Sequence, residues 1–189
     1  MACKLSFSQE PVEKPVPLKG FFGVNLGVSG SFSEKRGPNY IGMTDAMFNL
    51  SFSYTKPLIK DLGLSIILQP IGVFTEIFAF EGDFSWQSSL IAAVNIGHGS
   101  SLVSEAGYGW YGGAGIVYNL LESYDKRGGE FYFHKLTIFG PIAVTGFRIP
   151  PKAGRTEHID FRLSYGMDMT VSKKRLYEIR LSFGGFGKD

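Results

Sequence analysis

The 189-residue chain holds a single cysteine, Cys3, and only 19% of its residues are charged. One thiol excludes an internal disulfide framework and a cysteine-based metal site. Soluble domains average about a quarter charged residues, so this chain has little charge with which to solvate a surface. Its 19 basic and 17 acidic residues leave a formal charge of +2. That is too mild for a nucleic-acid partner, which calls for a concentrated basic stripe, and no nucleic-acid-binding module motif is present. Residues 1–9 lack the apolar run of a complete signal peptide. The stretch Leu5-Ser6-Phe7-Ser8-Gln9 nevertheless reads like the tail of one. Pro11, Pro15 and Pro17 cannot pair in a central strand, so residues 1–17 are expected to be a leader remnant and a proline-rich tail. Residues 18–189 are expected to form one domain.

What is abundant is glycine, at 25 residues, and aromatic side chains, at 15%. Their arrangement is most regular near the C-terminus. Ile159, Phe161, Leu163, Tyr165, Met167, Met169 and Val171 alternate with Asp160, Arg162, Ser164, Gly166, Asp168 and Thr170. After Ser172-Lys173-Lys174-Arg175 the alternation resumes, with Tyr177, Ile179, Leu181 and Phe183 set against Glu178, Arg180 and Ser182. A period of two over such lengths predicts long antiparallel strands with one apolar and one polar face.

Similar alternation predicts a first strand over residues 18–32 and a second over 48–55, followed by a turn over 56–61. A third runs over 62–68, with a register change at Pro70 and an extension over 73–80. A fourth covers 86–96, a fifth 108–121 and a sixth 131–149, making eight with the two C-terminal strands. Two membrane helices could be drawn through residues 84–121, where Glu105 is the only charged residue. Helices tolerate poorly the density of Gly99, Gly107, Gly109, Gly112, Gly113 and Gly115. Period alone does not say which face is inside. A soluble lipocalin-like carrier would turn the apolar face inward. A face of large aromatics and methionines opposed by Gly, Ser, Asn and Arg suits lipid outside and a narrow polar lumen.

The fold class is therefore read as all-β, a closed antiparallel up-and-down transmembrane barrel of eight strands. On this pattern, over residues 18–186, the chain resembles the small eight-stranded outer-membrane β-barrel proteins of Gram-negative bacteria, the OmpA/OmpX-like class. The resemblance implies a cell outer-membrane location, periplasmic termini, short periplasmic turns and longer outer loops. It also implies insertion by the barrel-assembly machinery. One departure is the C-terminus, where Phe186 is followed by Gly187-Lys188-Asp189 rather than closing the chain on an aromatic.

Candidate chemistry is sparse. Gly107-Tyr108-Gly109-Trp110-Tyr111-Gly112 satisfies the dinucleotide spacing G-x-G-x-x-G, but a strand continues from it where a helix N-terminus is required. His98, Ser100 and Glu105 form a weak catalytic candidate, similar to the His-x-Ser element of outer-membrane lipid A deacylases. A Gly/Ser-rich turn explains the same residues. His134 and His158 lack close ligand partners, so no metal is expected, and no cofactor. Asp160, Arg162, Asp168, Glu178 and Arg180 share one face of neighbouring strands, which must be the lumen, because Arg or Lys facing lipid at mid-bilayer costs about 2–4 kcal/mol. A register opposing Asp168 to Arg180 would pair opposite charges across the hairpin. With eight strands the interior is just wide enough for side chains, favouring a salt-bridged filling over a narrow channel for small solutes or ions. Finally, Lys35, Arg36, Lys126, Arg127, Lys173, Lys174 and Arg175 fall on connections at the end opposite the termini. They are candidates to contact lipopolysaccharide phosphates; Lys56, Lys60, Lys152 and Arg155 on the other rim weaken the asymmetry and leave ordinary solvated loop charge as the alternative.

Overall fold

The computed structural model describes residues 18–34, 41–74, 84–127, 130–153, 155–170 and 174–187. Eight strands follow one another: β1 (Phe21–Glu34), β2 (Ile41–Ile59), β3 (Leu62–Phe74), β4 (Phe84–Gly97), β5 (Gly109–Arg127), β6 (Glu130–Ile149), β7 (His158–Met167) and β8 (Arg175–Phe186). Each pairs antiparallel with its sequence neighbour, and β8 returns to β1 over Gly23↔Phe186 to Ser33↔Leu176. The sheet is a closed up-and-down barrel with both termini at one end.

The faces fall as the alternation requires. On β7 and β8 the apolar set Ile159, Phe161, Leu163, Tyr165, Tyr177, Ile179, Leu181 and Phe183 is exposed, while Asp160, Arg162, Glu178, Arg180 and Ser182 are buried. This is the reverse of a soluble carrier barrel, whose apolar face would line the interior. Exposed aromatics gather at two levels. Phe22, Tyr54, Trp110, Phe147, Phe161 and Phe183 lie towards the termini, and Phe48, Trp86, Tyr118, Phe139, Tyr165 and Tyr177 towards the other end. Trp110 and Tyr118 on β5 are eight residues apart, as are Phe139 and Phe147 on β6. At about 3.4 Å per residue and a tilt of about 40°, that separation spans roughly 20 Å of barrel height, close to the apolar band of a membrane barrel.

The interior is not uniformly polar. Ile67, Ile91, Ala93, Tyr111, Val117, Ile138, Ile142, Val144 and Leu176 form an apolar cluster on its β3 to β6 side and against β8. In Ile66-Ile67-Leu68 and Leu90-Ile91-Ala92 both faces are apolar, so alternation alone does not locate these inward residues.

Three boundaries depart from expectation. β2 runs to Ile59 with Pro57 opposite Gly63, so the β2–β3 turn is only Lys60-Asp61 rather than residues 56–61. Pro57 faces inward on the strand's last stretch, where a ladder bond is least needed. Pro70 does disturb the register, with ladder shifts between Leu50 and Phe52 on one side and Gln69 and Val73 on the other. The expected extension over 75–80 lies outside the described residues. β7 stops at Met167 rather than Val171. The Asp168 carboxylate accepts the Thr170 amide at 3.1 Å, the Thr170 hydroxyl and the Phe139 amide at 3.2 Å. These side-chain contacts compete with the ladder, which continues past Met167 only through Asp168 N to Lys174 O at 2.8 Å and Met169 N to Phe139 O at 2.9 Å.

Candidate lumen site

Two polar layers cross the barrel interior. In the layer near the termini Arg148 of β6 faces Asp160 of β7, the two being register partners, with Nε to Oδ2 at 3.2 Å. Tyr111 donates its hydroxyl to Asp160 Oδ1 at 2.8 Å, and Arg148 Nη1 reaches across to Asn95 Oδ1 at 2.8 Å. The guanidinium also lies over the Tyr111 ring, 4.4 Å from its centroid. Cation, anion and aromatic face thus satisfy one another in a place where an unpaired charge would be costly.

In the second layer Arg162 of β7 stands directly opposite Arg180 of β8, and Ser164 opposite Glu178. This corrects the expected hairpin pairing of Asp168 with Arg180. The register leaves Asp168 beyond the end of β7 and sets like charges side by side. Glu178 resolves the repulsion. Its Oε1 accepts Arg180 Nε at 3.1 Å while its Oε2 lies 3.8 Å from Arg162 Nη2. Gln69 Oε1 accepts from Arg162 Nη2 at 3.0 Å and also from Arg180, and Gln69 Nε2 donates to Asn49 Oδ1 at 2.7 Å. Gln87 donates to Glu178 Oε2 at 3.2 Å and accepts from Asn119 at 3.1 Å. Six strands therefore hold one network.

All five charged residues expected to share the lumen are buried; Asp160, Arg162, Glu178 and Arg180 join the two layers, while Asp168 lies beyond the end of β7 and accepts from the Phe139 and Thr170 amides. The sequence reading missed Arg148, Gln69, Gln87, Asn49, Asn95 and Tyr111. An isolated Gln or Asn inside an apolar run, such as Gln69 after Leu68, was the available signal.

At the termini end, residues 98–108 fold across the mouth. Gly97 and Gly99 adopt φ of +74° and +85°, the left-handed region that suits glycine. A Cβ on Gly99 would come within 2.7 Å of Arg148 Nη1 and 2.8 Å of the Phe186 ring. Ser101 donates to Lys60 O, and Ser104 donates to Asp61 Oδ1 at 2.6 Å. Opposite them, His98 meets His158 with ring centroids 5.6 Å apart, and His158 stacks on Phe186 at 4.5 Å. His158 opens β7 and is buried; the side chain of His134 lies outside the described residues.

The catalytic candidates are not brought into a relay. The Ser100 hydroxyl lies 2.6 Å from Gly97 O and 3.2 Å from Lys60 O, which take its only proton, and the residue is fully buried. Glu105 is exposed and 3.7 Å from Lys60 Nζ. Among the described residues no group of three or more His, Cys, Asp or Glu is placed to hold a metal. Of the basic connections, Lys35, Arg36 and Lys173 lie outside the described residues. Lys126 and Arg127 end β5, Lys174 immediately precedes β8 and Arg175 opens it.

Among solved structures, the outer-membrane protein Ail of Yersinia pestis matches at a TM-score of 0.59 and 13% identity, over 90% of this chain and 100% of that one. The fold is that of a small outer-membrane barrel. Neisserial surface protein A matches at a TM-score of 0.54 and 15% identity, over 87% of this chain and 96% of that one. The outer-membrane protein OprG of Pseudomonas aeruginosa matches at 0.50 and 10%, over 89% and 97%. No family model and no curated protein sequence matches the chain. At these identities the likeness speaks for the architecture alone.

Glu178→Gln removes the anion between two buried guanidinium groups. It is expected to lower stability by about 3–5 kcal/mol, read from urea unfolding in lipid vesicles; a loss under about 1 kcal/mol would show that the arginines do not depend on it.

His98 sits outside the strands, and burial, followed by the Arg148 charge, pushes its imidazole down to about 4 from an ordinary 6.5. The folded state holds it neutral, so its contribution to stability is full above pH 6.5 and is lost as pH falls towards 4. Amide-exchange protection of residues 98–104 should fall across that window, and His98→Phe should flatten the fall; a profile identical in both proteins would contradict the assignment.

Proposed function

We propose that the chain is an outer-membrane barrel protein with a closed lumen, acting as a structural or interaction element through its surfaces. The observation that carries this reading is the interior filling, in which Arg148, Tyr111, Gln69, Gln87 and Glu178 are each no more than 2% exposed and joined by hydrogen bonds from strand to strand. An eight-stranded barrel has room inside for side chains and little else. Residues 98–108 add a second obstruction at one mouth. The lumen charges serve as mutual counter-ions, and the protein carries no solute through them. In planar bilayers the reconstituted barrel is expected to give no discrete conductance steps at neutral pH; reproducible steps from the pure protein would make it a narrow channel.

The surface through which it acts is the basic end opposite the termini. Lys35, Arg36, Lys126, Arg127, Lys173, Lys174 and Arg175 lie on or beside the β1–β2, β5–β6 and β7–β8 connections, which an up-and-down barrel gathers at one end. Cations there meet the phosphates of lipopolysaccharide through charge-assisted hydrogen bonds. The crystallised complex of Ail with the heparin analogue sucrose octasulfate supports a polyanion contact on a barrel of this size. Changing these residues together to Gln should abolish most of the salt-sensitive retention of lipopolysaccharide by the detergent-folded protein. Undiminished retention would remove the surface from the account.

A further inference from the structure

The outward face carries a depression within the apolar belt. Over β2 to β5, near the end that bears the termini, a groove of about 480 Å³ has Ala92 and Gly112 as its floor and Tyr54, Leu64, Ile66 and Val94 along its sides. Large side chains occupy most other outward positions of these strands. Here the register sets Ala92 against Ala114 and Val94 against Gly112, so the small residues of β4 and β5 coincide. The Trp110 ring lies against Gly112, where a Cβ would approach it to 2.8 Å, and its Nε1 donates to Thr145 Oγ1 at 3.0 Å. That hydrogen bond holds the indole beside the groove.

Lys56 also lines this groove. It points outward from β2, opposite Leu64 in the ladder, two residues beyond Tyr54 of the lower aromatic level. Among the described residues it has no ion pair or hydrogen-bond partner. No acid lines the groove, and two at the same end are engaged elsewhere, Glu105 with Lys60 at 3.7 Å and Asp61 with the Ser104 hydroxyl at 2.6 Å. An uncompensated ammonium therefore stands at the headgroup level of an apolar channel that opens onto lipid.

We propose that this groove binds one anionic phospholipid of the leaflet at the termini end, with an acyl chain along Ala92 and Gly112 and the phosphate on Lys56. The proposal rests on the reading of the chain as a membrane barrel. Charge complementarity selects the headgroup. A zwitterionic lipid brings its own cation to Lys56, whereas phosphatidylglycerol brings only the phosphate. A lysine that merely extends its stem into the interface would show no such choice and no dependence on the groove floor.

Trp110 supplies the readout. In a Trp86→Phe background it is the only tryptophan, and bromine on an acyl chain in the groove quenches it by contact. The protein is reconstituted in phosphatidylcholine vesicles containing a small fraction of brominated phosphatidylglycerol or, separately, the same fraction of brominated phosphatidylcholine. The brominated anionic lipid should be enriched at the site about fivefold, the effect of one interfacial lysine. Lys56→Gln should reduce its quenching to that of brominated phosphatidylcholine, and Ala92→Phe, which fills the floor, should reduce quenching by both. Equal quenching by the two lipids, or a preference that survives Lys56→Gln, would overturn the site. Resistance of the vesicle-bound barrel to trypsin is measured on the same samples. A chain that remains outside the bilayer would overturn the membrane reading, and the lipid site with it, a result distinct from an inserted barrel without preference.

Discussion

Closure of the hydrogen-bond ladder between β8 and β1 is the constraint on which the rest of the molecule depends. In lipid an unpaired strand edge would leave amides and carbonyls without partners, at several kcal/mol for each group. The Gly23↔Phe186 to Ser33↔Leu176 pairing removes both edges at once. Closure also decides where the side chains go. With eight strands the enclosed space is narrow, so every inward residue meets others from across the barrel and its polarity must be answered there.

The answers are unequal in kind. Towards β3 to β6 the interior holds an apolar cluster rich in Ile and Val beside the buried amides Gln69, Gln87, Asn95 and Asn119. Towards β7 and β8 it carries three arginines and two acids within two layers. Burying ions in this way is seldom a route to greater stability than apolar packing. Its effect here is to tie particular strands together: Arg148 joins β6 to β7 and β4, and Gln69 joins β3 to β2, β7 and β8. A one-residue register slip in β6, β7 or β8 would point a guanidinium at lipid, so the charges discriminate against misassembled barrels.

The strands themselves were legible because lipid and lumen impose opposite demands on alternate residues, and β1, β4, β7 and β8 obey with few exceptions. The lumen face could be assigned from Asp160, Arg162, Glu178 and Arg180 for the same reason. Their pairing could not. The hairpin register sets Arg162 against Arg180, and that like-charged pair is acceptable only because Glu178 and Gln69 come to it, Gln69 from strands away. Arg148 was invisible for a related cause. It stands alone between Phe147 and Ile149; the β6–β7 register sets it opposite Asp160, and it meets Tyr111 of the adjacent β5 and Asn95 of β4 only in the folded sheet. The resemblance of His98 and Ser100 to a catalytic element failed on local geometry, since backbone carbonyls take the serine's proton.

Electrophoretic mobility of the unheated protein, taken from the outer-membrane fraction and compared before and after boiling, tests the central claim most directly. A closed barrel with its lumen filled should run as a compact band that shifts to the mobility of the unfolded chain only on boiling. Recovery in the soluble fraction without detergent, or a single mobility in both samples, would contradict the assignment of lipid to the apolar face and of the charges to the interior.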